Sequence, residues 1–293
     1  MTITALMVKE LRERTGAGMM DCKKALGETN GDMEAAIDLM RTSGAAKAAK
    51  KSGRIAAEGL VKVSASADGK TATILEVNSE TDFVTKGETF IGFVDALGTL
   101  ALKTTPADID AFLTQTMENG DSLEKAREDV VAKTGENVSI RRVHTVQAEN
   151  DGVIGVYKHG ERIAVLTVLK GGNETLAKDI AMHIAASKPE CISEDELSVE
   201  LLEREKAIFI EQARESGKPD NIIEKMIGGR MKKFINEVTL SGQAFVKNPD
   251  TTVGELLKSN NATIKSFIRF EVGEGIEKKE ENFADEVMAQ INN

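Results

Sequence analysis

The fold is decided by two stretches of sequence, GLVKVSASADGKTATILEV at residues 59–77 and GVIGVYKHGERIAVLTV at residues 152–168. In each stretch, apolar and polar residues alternate on both sides of a short turn, at Asp68-Gly69 in the first and at His159-Gly160 in the second. Alternation around such a turn is typical of a β-hairpin. The pattern therefore predicts the same hairpin twice and indicates an internal duplication.

Each hairpin is followed by helical periodicity and then by a similar closing strand, VSIRRV at residues 138–143 and KSFIRF at residues 265–270. Each copy thus predicts hairpin, helix, helix and closing strand. The predicted fold class is α+β, a duplicated core with antiparallel sheets. The second copy is about 34 residues longer than the first, and the additional residues are assigned to 193–238.

The insertion at 193–238 predicts two charged antiparallel helices. Ser193 and Glu196 match a capping box at the start, and GKPD at residues 217–220 interrupts the helical pattern. Apolar residues recur at helical spacing on both sides of this break, at Leu197, Leu201, Ile208, Ile223, Ile227 and Phe234. Such a pair predicts a coiled-coil arm, and arms of this kind usually pair with another surface.

Three short helices are predicted for the N-terminal segment. Thr4 and Asp32 are candidate N-caps, Gly16 to Gly18 forms a turn, and the third helix is expected to end at Gly44. The basic, Ala-rich residues 45–54 are expected to form a mobile linker. Residues 1–55 carry a net charge of about +3, so this end is expected to face an acidic surface.

The predicted organisation has five parts. They are a three-helix module with its basic linker at 1–55, a first core subdomain at 56–147, a second core subdomain at 148–192 and 239–275, the inserted arm at 193–238, and a C-terminal helical module at 276–293. In the last part, Phe283, Val287 and Ile291 predict an amphipathic helix.

The sequence carries no motif for covalent catalysis. A phosphate-binding loop, a dinucleotide fingerprint, a nucleophile elbow and a zinc-protease motif are all absent. His144, His159 and His183 are not at metal-binding spacing. We therefore expect no metal, no cofactor and no enzyme activity. The net charge of −10 also argues against a general nucleic-acid binder, which needs Lys and Arg to displace counterions.

The expected location is the cytoplasm, with no membrane partner. Charged residues occur from Lys9 onward, unlike in a secretory signal. The most apolar stretch, Phe90 to Leu102, is too short to span a bilayer and contains Asp95. Cys22 and Cys191 are isolated, which suits a reducing compartment.

The segment NSETDFV at residues 78–84 has two interpretations. The pattern by itself favours Phe83 as a core residue of the next helix. The second copy argues for a different use, because KGGN at residues 170–173 occupies the corresponding place and contains no aromatic residue. Phe83 is therefore the main candidate for contact with another protein.

Four further residues also leave alternatives open. Met19 and Met20 either dock a partner or complete the core of the small helical bundle, since Met serves both purposes. His159 either faces solvent at a turn or contacts a partner. His183, between Ala181 and Ile184, is expected to have a structural role rather than a catalytic one.

Several long segments of the sequence resemble the bacterial elongation factor Ts family. The resemblance runs from end to end of the chain. It is carried by VKELRERTGAGMMDCKKA at 8–25, NSETDFV at 78–84, HIAASKP at 183–189, GRMKKF at 229–234 and IRFEVGEGIEK at 268–278. Residues 103–129 and the segment between Leu197 and Ser216 are less similar.

The resemblance implies a guanine-nucleotide exchange factor for elongation factor Tu that binds no nucleic acid directly. It implies a ubiquitin-associated-like fold for the first module, and a homodimer or a 2:2 complex through the arm. It further implies a loop near the partner's magnesium site, in which Asp82 and Phe83 intrude, and other partner contacts. The loop residues are Thr81, Asp82, Phe83 and Val84, and the other contacts are Arg12, Met19, Met20, Lys23, His159 and Val246.

Overall fold

The structure is a computed structural model that describes residues 3–214 and 219–277. The described chain forms two compact units. The first consists of the described residues of 1–62, 75–143 and 271–293, and the second of 63–74 and the described residues of 144–270. The predicted apolar face at Phe283, Val287 and Ile291 lies outside the described residues.

Three helices open the first unit, α1 (Ala5–Thr15), α2 (Met19–Glu28) and α3 (Met33–Lys51). The predicted caps form: the Thr4 hydroxyl accepts the Met7 N–H at 3.3 Å, and the Asp32 carboxylate accepts the Ala35 N–H at 3.0 Å. The helices enclose a small apolar core of Val8, Leu11, Ala17, Cys22, Ala25, Leu26 and Ala36.

Helix α3 does not stop at Gly44, so the prediction of a mobile linker from residue 45 is wrong. The helix continues to Lys51, because Ala and Lys are good helix formers. Gly44 is buried inside the helix, where a Cβ atom would lie 3.5 Å from Ala132. Further along α3, Ala48 is fully buried in the core of the following α+β segment. The basic stretch is therefore a packed element.

The first three-stranded sheet has the order β1-β2-β3, formed by Glu58–Ala65, Thr71–Ser79 and Val138–Gln147. Between β2 and β3 lie four helices, α4 (Asp82–Thr85), α5 (Glu88–Thr104), α6 (Ile109–Leu113) and α7 (Leu123–Thr134). Their shared core contains the buried side chains Leu75, Val77, Phe90, Leu97, Phe112, Val131 and Ile140. This packing holds the short helix α4 at the end of β2.

The second copy begins with β4 (Gly152–His159) and β5 (Ile163–Lys170), which pair antiparallel with Gly152 opposite Lys170. Helix α8 (Glu174–Ser187) packs closely on β4. A Cβ atom on Gly155 would lie 2.3 Å from the Ala177 carbonyl, so only glycine allows this approach.

Two long helices follow, α9 (Val199–Arg214) and α10 (Asp220–Val238). Their contacts run antiparallel, since Phe209 meets Phe234 edge to face at 6.4 Å and Gln212 accepts a bond from Arg230 at 3.0 Å. The predicted capping box is wrong. The Ser193 hydroxyl makes no capping bond, and the Glu196 carboxylate instead accepts the Ile192 N–H at 2.9 Å.

The chain then forms a two-stranded ribbon, β6 (Ala244–Phe245) with β7 (Asn248–Thr252), followed by α11 (Val253–Ser259) and β8 (Thr263–Glu271). The second sheet has the order β4-β5-β8. Both sheets thus place the closing strand beside the second strand of the hairpin, in agreement with the predicted repeat. No helix in the described part of the chain is long and apolar enough to cross a membrane.

Candidate functional site

The segment after β2 exposes one large aromatic side chain. Phe83 is 81% exposed on α4, which is a single helical turn. On the same turn Val84 packs against the core and Thr85 is buried, so Phe83 and Asp82 face outward. The interpretation of Phe83 as a core residue is wrong, because one turn of helix buries only one face.

The corresponding place in the second copy has no room for such a side chain. Gly171 and Gly172 both have a φ of +74°, and a Cβ on Gly171 would lie 2.4 Å from the Asn261 carbonyl oxygen. The chain therefore turns tightly into α8. The extra turn that presents Phe83 is specific to the first copy.

Two neighbouring carboxylates hold the base of the Phe83 turn. Glu136 accepts the Thr81 N–H at 2.9 Å and the Thr81 hydroxyl at 2.6 Å. Glu80 accepts the Asn137 N–H at 2.6 Å. Residues 80–81 and 136–137 thus form a reciprocal clamp, in which each pair supplies one carboxylate. Sequence analysis missed it, since the partners are 55 and 57 positions apart.

Lys86 contacts both of the outward-facing side chains. Its ammonium lies 2.6 Å from the Asp82 carboxylate and 5.7 Å from the centroid of the Phe83 ring. The two partners of the ion pair are 70% and 52% exposed. Pairs this exposed contribute little to stability, so the contact is easily exchanged for another.

The predicted N-terminal contact residues lie on the surface of the first two helices. Met19 is 56% and Met20 is 76% exposed, and neither belongs to the apolar core of the three helices. The alternative that they complete this core is wrong. Lys23 on α2 and Arg12 on α1 are also exposed. Met19 follows Gly18, the N-cap of α2, while Cys22 one turn later faces inward.

In the second unit, His159 is exposed at the turn between β4 and β5. Its Nδ1 lies 3.4 Å from the Tyr157 hydroxyl, and the two rings stack with centroids 6.5 Å apart. The position leaves both predicted alternatives available, a solvent-facing side chain or a contact to a partner.

The backbone of Val246 is bonded to a distant residue, and no sequence pattern indicates this contact. It is 45% exposed at the turn between β6 and β7, and its N–H donates to Nδ1 of the buried His183 at 3.2 Å. Because Nδ1 accepts, the ring proton is on Nε2, which donates to the Gln243 side chain at 2.9 Å. Burial lowers the pKa of His183, although the bond to Gln243 opposes this effect.

The expected structural role of His183 therefore includes positioning Val246. The two residues are 63 positions apart, so no local pattern in the sequence could indicate the contact. Within residues 3–214 and 219–277, no group of three or more His, Cys, Asp or Glu side chains is arranged to hold a metal ion.

Comparison with known proteins identifies the family. The family model described as elongation factor Ts matches residues 80–274, from the base of the Phe83 turn to the end of the second sheet. The chain belongs to the elongation factor Ts family. It is thus a translation elongation factor that acts in nucleotide exchange.

Curated relatives match over almost the whole chain. Elongation factor Ts of Ruthia magnifica subsp. Calyptogena magnifica is 78% identical, covering 99% of this chain and 98% of that protein. The proteins of the same name from Alkalilimnicola ehrlichii and Legionella pneumophila (strain Lens) are 57% and 55% identical, each covering 99% of both chains.

Proposed function

We propose that the chain is the cytoplasmic guanine-nucleotide exchange factor of elongation factor Tu and that it acts by binding alone, without covalent chemistry. The observation that carries this proposal is the 81% exposure of Phe83 on a turn whose base is bonded on two sides. Aromatic side chains, Phe among them, are enriched at the cores of protein–protein interfaces. Phe83 is the wedge of the exchange mechanism, defined here as the side chain that enters the partner.

Exchange requires a coupling free energy between the factor and GDP. The factor must bind nucleotide-free elongation factor Tu more tightly than the GDP-bound form, and GDP then weakens the factor by the same ratio. Burying one Phe side chain contributes about 1.5–3 kcal/mol, equivalent to about 10- to 150-fold in an equilibrium. A pocket for Phe83 that is open only without nucleotide therefore supplies a coupling of the usual size.

The residues of the loop divide into two roles. Asp82 and Phe83 face outward and enter the partner near its nucleotide and magnesium site. Thr81 and Val84 attach the turn to the rest of the protein, since Thr81 is bonded to Glu136 and Val84 packs against the core. The loop thus acts as one unit, in which two residues make the contact and two fix its direction.

The remaining site residues provide the grip, meaning contacts made equally with both states of the partner. Arg12, Met19, Met20 and Lys23 bind the nucleotide domain through the ubiquitin-associated-like three-helix module. His159 and Val246 bind a different domain of the partner. The exposure of all six side chains supports this assignment. Such uniform binding lowers the concentration of factor required without accelerating release.

The helical pair α9 and α10 is the coiled-coil arm and serves dimerisation, giving a homodimer or a 2:2 complex. Its outer surface supports this role, because Val199 is 69%, Ile222 40% and Ile208 39% exposed. The C-terminal residues 276–293 add a further contact to the partner. Neither nucleic acid nor a membrane is a direct partner.

Release of a fluorescent GDP analogue from purified elongation factor Tu tests the proposed function. The expected result is a release rate that rises with the concentration of this protein and reaches a plateau. Binding to elongation factor Tu without any change in release would instead make the protein an interaction scaffold. Absence of binding would reject the partner itself.

A further inference from the structure

Phe83 lies on helix α4, which depends on bonds from other parts of the chain for its stability. Helix α4 has four residues, and helices this short are unstable alone because nucleation is unfavourable. Its N-cap residue, Thr81, makes no capping bond with its own side chain. The Thr81 hydroxyl instead donates a hydrogen bond to the carboxylate of Glu136, on the turn that follows α7.

Glu136 holds Thr81 with both of its carboxylate oxygens. Oε2 accepts the backbone N–H at 2.9 Å, and Oε1 accepts the hydroxyl at 2.6 Å. Bonds to an ionised acceptor are roughly twice as strong as neutral ones, and two bonds from one carboxylate fix direction as well as distance. Rotation of the turn that begins at Thr81 would break at least one of them.

The turn that carries Glu136 is itself fixed. Gly135 caps the C-terminus of α7 in the left-handed conformation, with a φ of +77°, and the Lys51 ammonium of α3 donates to the Gly135 carbonyl. The buried Asn137 donates its N–H to Glu80 and its side-chain amide to the Arg54 carbonyl at 2.8 Å. Glu136 is therefore a rigid support rather than a mobile surface carboxylate.

We infer that Glu136 is a positioning residue for nucleotide exchange: it aims Phe83 through Thr81 and thereby sets the maximal rate of GDP release, not the affinity of the grip. This inference rests on the proposed function. Its physical basis is preorganisation, because a wedge whose backbone is already fixed loses less conformational entropy when it enters its pocket. Glu136 need not contact the partner for this effect.

The test measures GDP release from elongation factor Tu as a function of the concentration of full-length protein carrying Glu136→Ala. We expect the maximal rate to fall about tenfold, the effect of losing one good bond to a charged group. The half-saturating concentration should stay within about twofold, because uniform binding is unchanged. A partly unfolded variant gives the opposite result, since it lowers the active concentration but not the plateau.

Two matched variants accompany this measurement. Glu124→Ala removes a carboxylate in the first turn of α7, one that accepts bonds from Arg127 with both oxygens at 2.9 and 2.5 Å instead of from Thr81. It should leave the maximal rate unchanged. Glu136→Gln keeps an acceptor for the Thr81 N–H and a polar group for its hydroxyl, so it should recover much of the lost rate.

The double variant Glu136→Ala with Phe83→Ala separates this inference from the proposed function. If Glu136 acts only through the wedge, its loss adds nothing once Phe83 is gone. The inference is overturned by an unchanged maximal rate in Glu136→Ala, by a change in the half-saturating concentration alone, or by additive losses. An unchanged maximal rate in Phe83→Ala would instead reject the wedge and with it the proposed mechanism.

Discussion

Phe83 is kept exposed by its neighbours rather than by its own contacts. The inward-facing Val84 and Thr85 and the bonds of Thr81 fix the backbone, which leaves the ring in solvent. While Phe83 is exposed, the protein does not gain the stabilisation of about 1.5–3 kcal/mol that burial of a Phe side chain provides. In the proposed complex this free energy becomes available when the partner covers the ring.

His183 supports the proposed contact residue Val246, as the neighbours of Phe83 support Phe83. Its neutral ring accepts the Val246 N–H through Nδ1, and protonation would remove this acceptor. Since burial lowers the pKa of His183, the unfolded chain takes up the proton more readily than the folded one. The neutral His183 ring therefore makes its full contribution to the stability of the fold at pH values above the ordinary histidine pKa of about 6.5. This contribution is lost as the pH falls through the lowered pKa of the folded state.

We therefore expect His183→Gln to be less stable than the wild-type protein at pH 8, with a difference that narrows towards pH 5.5. Urea unfolding at several pH values measures this difference. The pKa of His144 is also lowered by burial, and it titrates in both proteins, so its effect cancels in the comparison. A difference in stability that is independent of pH would contradict the assigned role of the neutral ring.

At the scale of elements, α2 explains why two apolar side chains face solvent. The helix begins directly at Met19, and its buried residues are Cys22, Ala25 and Leu26, one turn and more beyond. Met19 and Met20 therefore lie outside the inward face. Flexible, polarisable Met side chains in such a position are common at docking surfaces.

The double variant Met19→Ala with Met20→Ala should raise the half-saturating concentration about tenfold or more, because two apolar contacts are lost from both states of the partner. The maximal rate of GDP release should not change. Leu6→Ala is the control, since Leu6 is 77% exposed on the same module. A lower plateau with unchanged half-saturation would place the two Met side chains in the wedge mechanism.

Deleting residues 1–55 is a poorer test of the N-terminal contacts, because Ala48 belongs to the core of the following segment.

Elements with local signals could be predicted from the sequence, and elements that depend on distant partners could not. The hairpins follow from alternation around short turns, and the caps at Thr4 and Asp32 from residues three positions away. The end of α3 differs from the prediction because glycine terminates helices by local rules, whereas Gly44 is buried within α3 and the helix continues to Lys51. The contacts of Glu136 and His183 span 55 to 63 positions, beyond the range of any motif.

At the scale of the whole molecule, the proposed mechanism needs two kinds of contact with different thermodynamic roles. In that mechanism, the grip of the N-terminal module and of the second unit would hold either state of elongation factor Tu. The proposed wedge would distinguish the two states and so provide the coupling. Because exchange breaks no covalent bond, positioned surfaces are sufficient for the proposed mechanism, in which the clamp at Glu80 and Glu136 would take the place of a catalytic group.

The central claim is that Phe83 discriminates between the nucleotide-free and GDP-bound states. The most direct measurement is the maximal rate of GDP release from elongation factor Tu at saturating Phe83→Ala, compared with the wild-type protein and with Leu113→Ala. Leu113 is a suitable control because it is also an exposed apolar residue of the first unit, at 43%. We expect Phe83→Ala to lower the plateau by about tenfold or more, while it remains folded and Leu113→Ala remains active. An unchanged plateau would contradict the claim.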